Sequence, residues 1–378
     1  MIRLCKFGIN LFYLILSTYF SLSVYANETT MESCAFKNLN DRLGPIRDQS
    51  DMGWCFANTA ADLLSYAHWN EIESHLNSQN QLMSLSPIAP AGSEHQVSAI
   101  YTALNYQWAQ IKSNIKPEEI FSSGGLIYET LNIIQEKGFF CPQSLDYSLL
   151  NTGFKTKLRE KFNRFSEIHE NYQKYISTKN ENFKAQYVKM IKELESQGTF
   201  LSNYDKKKIQ SVLEEPLIHN AVLKLTEVVC EDRKIGISKR KKFNRLASYR
   251  NSTEEFYNEE LHQKITQNEV LNIIDKVLDN EKPLGISYLL QNVINSEMSN
   301  TIEHASIISG RKFTNNTCYY QIRNSWGTDC HRKAFINSVY IPDYPIYKYE
   351  CEGGTFWVPR KDLPRILLEV FHEDLLSP

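Results

Sequence analysis

Apolar residues recur at helical spacing through the first two thirds of this chain and at strand spacing through the last third, a single switch of period that restricts the fold. Phe56, Ala60, Leu63, Leu64 and Ala67 form the stripe of a buried helix that starts close to Cys55. Residues 126–137 repeat the pattern after Gly124 and Gly125 and stop at Gly138, a normal helix terminator. Thr266 and Glu269 have capping-box spacing ahead of Leu271, Ile274, Val277 and Leu278, which predicts another helix. Then come short β-prone runs at 284–290, 305–310, 318–323, 334–341 and 355–358, parted by Gly, Asn, Asp or Pro. Helices first and strands last predict an α+β chain whose final part is an antiparallel sheet or open barrel.

Between these parts, residues 151–262 differ in character. They hold 22 Lys plus Arg against 16 Asp plus Glu, whereas the remainder after residue 26 holds 18 against 28. With stripes such as Leu158, Phe162, Phe165, Tyr172, Tyr175 and Ile176, the segment reads as a mostly helical, charged insertion. The chain therefore divides into 1–26, a helical part at 27–150, the insertion at 151–262, and a β-rich part at 263–378. The basic run Lys234, Lys239, Arg240, Lys241, Lys242 and Arg245 is a wet surface or a docking site for an acidic partner. Over the whole chain 42 basic residues meet 44 acidic ones, which excludes a footprint of the kind that binds nucleic acid by neutralising phosphates.

Residues 1–26 carry Arg3 and Lys6, no acid, an apolar stretch from Leu11 to Phe20, and small residues before Asn27. They read as a secretory signal cleaved at that point, since Gly8, Asn10 and several Ser and Thr make the run too interrupted for a bilayer span. Export predicts a secreted, extracellular or periplasmic protein, or a lysosomal one in a eukaryote, with no membrane span left after cleavage. Seven cysteines then remain, at 34, 55, 141, 230, 318, 330 and 351. In an oxidising compartment thiols pair, and an odd count leaves one free. No CxxC pair occurs, so a thiolate metal site is not expected.

Cys55 stands at the start of a buried helix, where the helix dipole lowers a thiol pKa, as would a nearby imidazolium. A base must come from elsewhere in the chain, oriented by a third polar group. Of nine histidines, His304 lies at the mouth of an apolar β-run, and Asn324 follows a second β-run twenty residues later. Adjacent strands would bring the two together.

At these residues the chain resembles the papain-like cysteine peptidases. Gly44-Pro45-Ile46-Arg47-Asp48-Gln49 followed by Gly53-Trp54-Cys55-Phe56-Ala57 is similar to that family's glutamine and cysteine block. Glu303-His304-Ala305 resembles its histidine block and Arg323-Asn324-Ser325-Trp326-Gly327 its asparagine block, in the same order. The resemblance spans about 44–150 and 266–360. It implies a two-subdomain α+β fold, a helical N-terminal subdomain and an antiparallel, barrel-like β-rich one, interrupted here by the insertion. It also implies roles: Cys55 as nucleophile, His304 as base and acid, Asn324 orienting the imidazole, and Gln49 with the Cys55 backbone N–H as oxyanion hole. Trp326 would cover the His–Asn contact beside the substrate, and Gly124 and Gly125 would let a substrate strand lie against the backbone. Protein or peptide substrates and no metal or organic cofactor are what the resemblance implies.

The chain departs from the family pattern in places. Phe56 stands after the nucleophile where the family usually has Trp, and Met52 and Ser122 stand where many members carry a cysteine pair. Only 17 residues separate the expected cleavage point from Gly44, too few for the usual inhibitory propeptide. With Cys55 free, the other six cysteines allow 15 disulfide connectivities, and the sequence does not choose. Two other readings stay open: a catalytically silent module that binds peptides or a partner, and a thiol amidase or transpeptidase.

Overall fold

Helix α1 (Cys55–Ser78) begins where its stripe demands, and Trp54 closes its start: the Trp54 carbonyl accepts from the N–H groups of Ala57 and Asn58. A computed structural model describes residues 34–49, 52–78, 95–110, 124–146, 158–196, 206–230, 233–237, 242–248, 255–294, 302–328, 330, 335–336, 339–340 and 347–374. The expected signal and Ser122 lie outside these residues. Beside α1 pack α2 (Ala99–Gln110) and α3 (Ile127–Lys137), and α3 ends at Gly138 with φ of 74°, a left-handed cap.

The segment 158–230 is helical as expected, in α4 (Leu158–Thr178), α5 (Glu181–Ser196), α6 (Lys206–Leu213) and α7 (Ile218–Cys230). Phe162, Phe165, Ile168, Val212, Val222 and Val229 join Trp54, Leu64 and Tyr101 in one apolar core. Trp54, the residue before Cys55, meets the Phe162 ring edge-on at 6.3 Å. Cys141 is bonded to Cys230, which ties the end of α7 to the first helical part.

From residue 243 the sequence reading has to be corrected, because the tail of the expected insertion is β-structure. Strands β2 (Phe243–Ser248) and β3 (Glu255–Asn258) lead to β4 (Gln263–Thr266). Phe243 and Leu246 are buried, as is Phe256, but the basic run just before them hides the alternation. That run also has partners within the chain: Arg245 pairs with Glu259 and Glu369, and Lys234 lies 4.8 Å over the Phe139 ring. Lys239, Arg240 and Lys241 lie outside the described residues.

After α8 (Gln267–Asp279), which opens with the expected Thr266–Glu269 capping box, the β-runs appear. They are β5 (Leu284–Leu289), β6 (Glu303–Thr314), β7 (Thr317–Arg323), β8 (Cys351–Glu352), β9 (Thr355–Pro359) and β10 (Leu367–Glu373). With β1 (Lys37–Asn38) on β6, the ten strands form one antiparallel sheet in the order β8-β9-β7-β6-β5-β10-β2-β3-β4. The barrel expected for this part is not closed. β10 pairs with β2 on the side away from β5, so the extra strands lengthen the sheet instead of closing it. One face is covered by α8, with Ile274, Val277 and Leu278 against Ile286, Ile308 and Ile322. The other receives α1, so closely at Gly285 that an added Cβ would stand 2.9 Å from Leu63 and 3.2 Å from Thr59.

Cys34–Cys318, Cys141–Cys230 and Cys330–Cys351 are paired, and among the described residues Cys55 is the free cysteine. Such pairing fits an oxidising, extracytoplasmic setting. Among the described residues no helix is long and apolar enough to cross a membrane. Because the 141–230 bond closes a loop with a separation of 89 residues, Cys141→Ala/Cys230→Ala is expected to lose about 2–4 kcal/mol of stability in urea denaturation. An unchanged midpoint would contradict the view that this bond holds the helical segment to the first core.

Candidate active site

The hairpin between β6 and β7 turns on Asn315 and Asn316, both with positive φ (48° and 55°), the two-residue geometry that suits the right-handed twist of paired strands. Its register sets Arg323 opposite Ile307, so residues 304 and 324 reach the same end of the sheet. There His304 Nε2 lies 2.7 Å from Asn324 Oδ1, and both residues are buried. The ring of Trp326 covers this contact, its centroid 4.6 Å from that of the imidazole, and Trp326 is only 6% exposed. Tyr288, paired with His304 across β5 and β6, presents its ring edge-on at 5.5 Å.

Gln49 reaches the same place through a short antiparallel meeting of 47–49 with 325–327. Its N–H donates to the Ser325 carbonyl (2.8 Å), and Gly327 N–H donates to the Arg47 carbonyl (2.9 Å). The side chain is held at both ends: Nε2 donates to the Met52 carbonyl at 2.9 Å and Oε1 accepts from the Ser325 hydroxyl. One Nε2 hydrogen remains for another acceptor.

Cys55 is the first residue of α1. Its own N–H and that of Phe56 lie ahead of the first intrahelical bond, which begins with Ala57, and so carry the positive end of the helix dipole. The sulfur is placed against β6: the N–H groups of Ala305, Phe56 and Cys55 itself all favour its anion. Ala305 follows His304 directly, so the sulfur lies against the strand residue next to the imidazole-bearing one. Burial nonetheless outweighs these donors and raises the thiol pKa, with the Glu303 carboxylate adding to the rise. This corrects the sequence expectation of a depressed thiol pKa. Burial likewise pushes His304 down to about 4, with the Asn324 contact opposing it. At neutral pH the pair is a thiol and a neutral imidazole.

Gly125 belongs to this neighbourhood, since an added Cβ would stand 2.5 Å from Tyr106 and 2.6 Å from Phe56, the residue after Cys55. Gly124 is exposed and an added Cβ would meet nothing, so its backbone is open.

Sequence reasoning missed the charges beneath these groups. Asp62, two turns into α1, accepts from Arg47 Nε with one oxygen and from Arg323 Nε with the other at 3.1 Å. All three are buried. A lone acid within Ala60-Ala61-Asp62-Leu63-Leu64 was the available signal. Tyr347, whose hydroxyl accepts from Asn324 Nδ2, had none.

No protein-family model matches the chain, and a search of curated proteins found no match. Among solved structures the chain is similar to SERA5E from Plasmodium falciparum, at 16% identity over 90% of this chain and 94% of that one, with a TM-score of 0.40. It is similar also to PepW from Lactobacillus rhamnosis, at 11% identity over 98% and 91%, with a TM-score of 0.40. A third is the digestive procathepsin L 3 of the Tenebrio molitor larval midgut, at 8% identity over 92% and 72%, with a TM-score of 0.39.

Because the folded His304 keeps a pKa of about 4 against 6.5 for the free side chain, the unfolded chain takes up its proton first as pH falls. The stability contributed is complete above 6.5 and is lost toward pH 4, up to about 3 kcal/mol. Urea unfolding from pH 7 to 4.5 is expected to show a steeper loss for wild type than for His304→Asn. Parallel curves would mean that the imidazole is not buried as described.

Proposed function

We propose that the protein is an exported thiol peptidase of the papain-like kind, hydrolysing peptide bonds through Cys55, His304 and Asn324. The observation that supports this is that Cys55, the free cysteine among the described residues, stands at a helix start with its sulfur against the backbone of Ala305, the neighbour of an imidazole bonded to Asn324. The four sequence blocks resembling the family supply exactly these residues together with Gln49, which is itself fixed beside them.

The electrostatics set the order of events. With a neutral thiol and a neutral imidazole at rest, His304 withdraws the Sγ proton as sulfur attacks the substrate carbonyl, instead of facing a preformed thiolate. The new C–S bond makes a tetrahedral oxyanion, which the remaining Gln49 Nε2–H and the Cys55 backbone N–H accommodate. Collapse breaks the C–N bond, and the imidazolium returns its proton to the leaving amine. Water then attacks the thioester, His304 takes one of its protons, and the acid departs with Cys55 restored to a thiol. Gly124 and Gly125 offer open backbone to an extended substrate strand, and Trp326 keeps water from the His304–Asn324 bond.

A silent binding module needs none of this set together, and an amidase or transpeptidase differs in acceptor and product. Incubating residues 27–378 with a mixed peptide library at pH 6–7 is expected to yield new amino and carboxyl termini by mass spectrometry. Cys55→Ala and His304→Ala are each expected to lower the rate by at least about 10³-fold. Products joined to a non-water amine would establish the transferase reading, and turnover unaffected by Cys55→Ala would refute the proposal.

A further inference from the structure

Tyr128, Asn132, Gln135 and Glu136 are spaced along one face of α3. With β2, β3 and the turn after β3 they enclose a cavity of about 980 Å³, the size of a ligand site. Asn244, Arg245 and Tyr257 form the wall that the strands supply, and Glu259, Glu260 and Asp374 stand around it. Strands β2 and β3 lie outside the two stretches of sequence that resemble the papain-like peptidases. The cavity therefore belongs to what this chain adds to that pattern.

Charge decides what such a cavity takes. Four carboxylates line it, those of Glu136, Glu259, Glu260 and Asp374, against the fixed cations Lys242 and Arg245. Arg245 is already committed: Nη1 meets Glu259 at 3.0 Å, and Nε donates to Glu369 Oε1 at 3.1 Å. Glu136 and Glu260 are exposed and make no ion pair among the described residues. The acids are also spread apart, since among the described residues no three of His, Cys, Asp or Glu are grouped closely enough to hold a metal ion. Acceptors spread in this way suit an organic cation, whose several N–H groups point in different directions. The amide oxygens of Asn132 and Asn244 add acceptors, and the rings of Tyr128 and Tyr257 add aromatic surface that attracts a cation.

Strand register sets this cavity on the face of the sheet that meets the thiol. Ala305, whose N–H faces the Cys55 sulfur, stands opposite Ser287, and Ser287 opposite Glu369. Glu369 in turn stands opposite Ala247, and Ala247 opposite Tyr257. Residues directly opposite one another share a face. Along this row the Ser287 hydroxyl donates to Glu369 Oε2 at 3.1 Å, so polar contacts run from the neighbour of Ala305 to Arg245 and Glu259. Three strand spacings separate β6 from β2, about 14 Å, which an extended polypeptide covers in about four residues.

We infer that the cavity between α3 and the added strands is a binding site for a cationic side chain, arginine or lysine, of a polypeptide lying across the sheet from Cys55. As a determinant of where a substrate is cut, the cavity rests on the peptidase reading above. As a binding site it does not.

Binding is measured on Cys55→Ala, which lacks the nucleophile, with an unstructured peptide of about ten residues holding one arginine. The same peptide holding citrulline keeps the shape and loses the charge. At low salt the arginine peptide is expected to bind about fivefold tighter, the worth of two exposed ion pairs, and the advantage is expected to shrink at about 0.5 M salt. Adding Glu136→Gln and Glu260→Gln is expected to bring the ratio near one, whereas Lys242→Gln, which removes a like charge, is expected to raise it. Melting curves check that each variant folds. Equal affinity for the two peptides, or a ratio that the paired Gln variant leaves intact, would overturn the inference. Spermidine that binds while the two peptides bind alike would overturn it too, because the cavity would then serve a free amine. If the arginine preference follows the charges but the active chain cleaves nothing, the cavity stands and the peptidase reading falls. If peptides are cleaved with no arginine or lysine preferred about four residues from the cut, and the two peptides bind alike, the cavity inference falls alone.

Discussion

The buried carboxylate of Asp62 lies under the candidate site and binds its parts together. It projects from the helix that Cys55 begins, and its two oxygens take Arg47, two residues before Gln49, and Arg323, one residue before Asn324. Arg323 also donates to the carbonyls of Leu43 and Pro45, and Arg47 reaches the hydroxyl of Ser65 one turn further along α1. The segment before α1, α1 itself and the distant strand end at Arg323 are thus fixed to one another by buried charge. Removing one member of such a group strands the others, at a cost of about 3–5 kcal/mol. The group gives the fold a fixed spacing between helix and sheet, and the site inherits that spacing.

Above this layer, burial and charge compete at the reacting groups. A helix start and three backbone N–H groups favour a thiolate at Cys55, yet desolvation prevails and leaves a neutral pair with His304. Under the proposed peptidase reading, a neutral resting pair holds the reactive charge back until a substrate carbonyl is present to receive it. The supporting contacts then matter through orientation: Asn324 sets the imidazole, Trp326 covers it, and Gln49 is pinned by Met52 and Ser325.

Much of this was legible in the sequence because each block carries local information. The stripe from Phe56 to Ala67 announced α1, the capping box announced α8, and the β-runs gave the strands that hold His304 and Asn324. The odd cysteine count anticipated a free thiol, which the structure assigns to Cys55. What was not legible depends on contacts between distant segments. β2 was concealed because a basic run broke its alternation, and the open sheet followed from β10 accepting β2 as a neighbour. The disulfide partners and the contacts of Asp62 and Tyr347 appear only once the chain is folded.

Trapping the thiol tests the central claim most directly. A peptide-like epoxide that reacts with activated thiols is mixed with the folded chain near neutral pH, and intact mass is followed for wild type, Cys55→Ala and His304→Ala. The account expects one rapid adduct on wild type, none on Cys55→Ala, and a rate lowered by at least about 10²-fold on His304→Ala. A folded wild type that stays unlabelled, or a His304→Ala variant that reacts as fast as wild type, would contradict it.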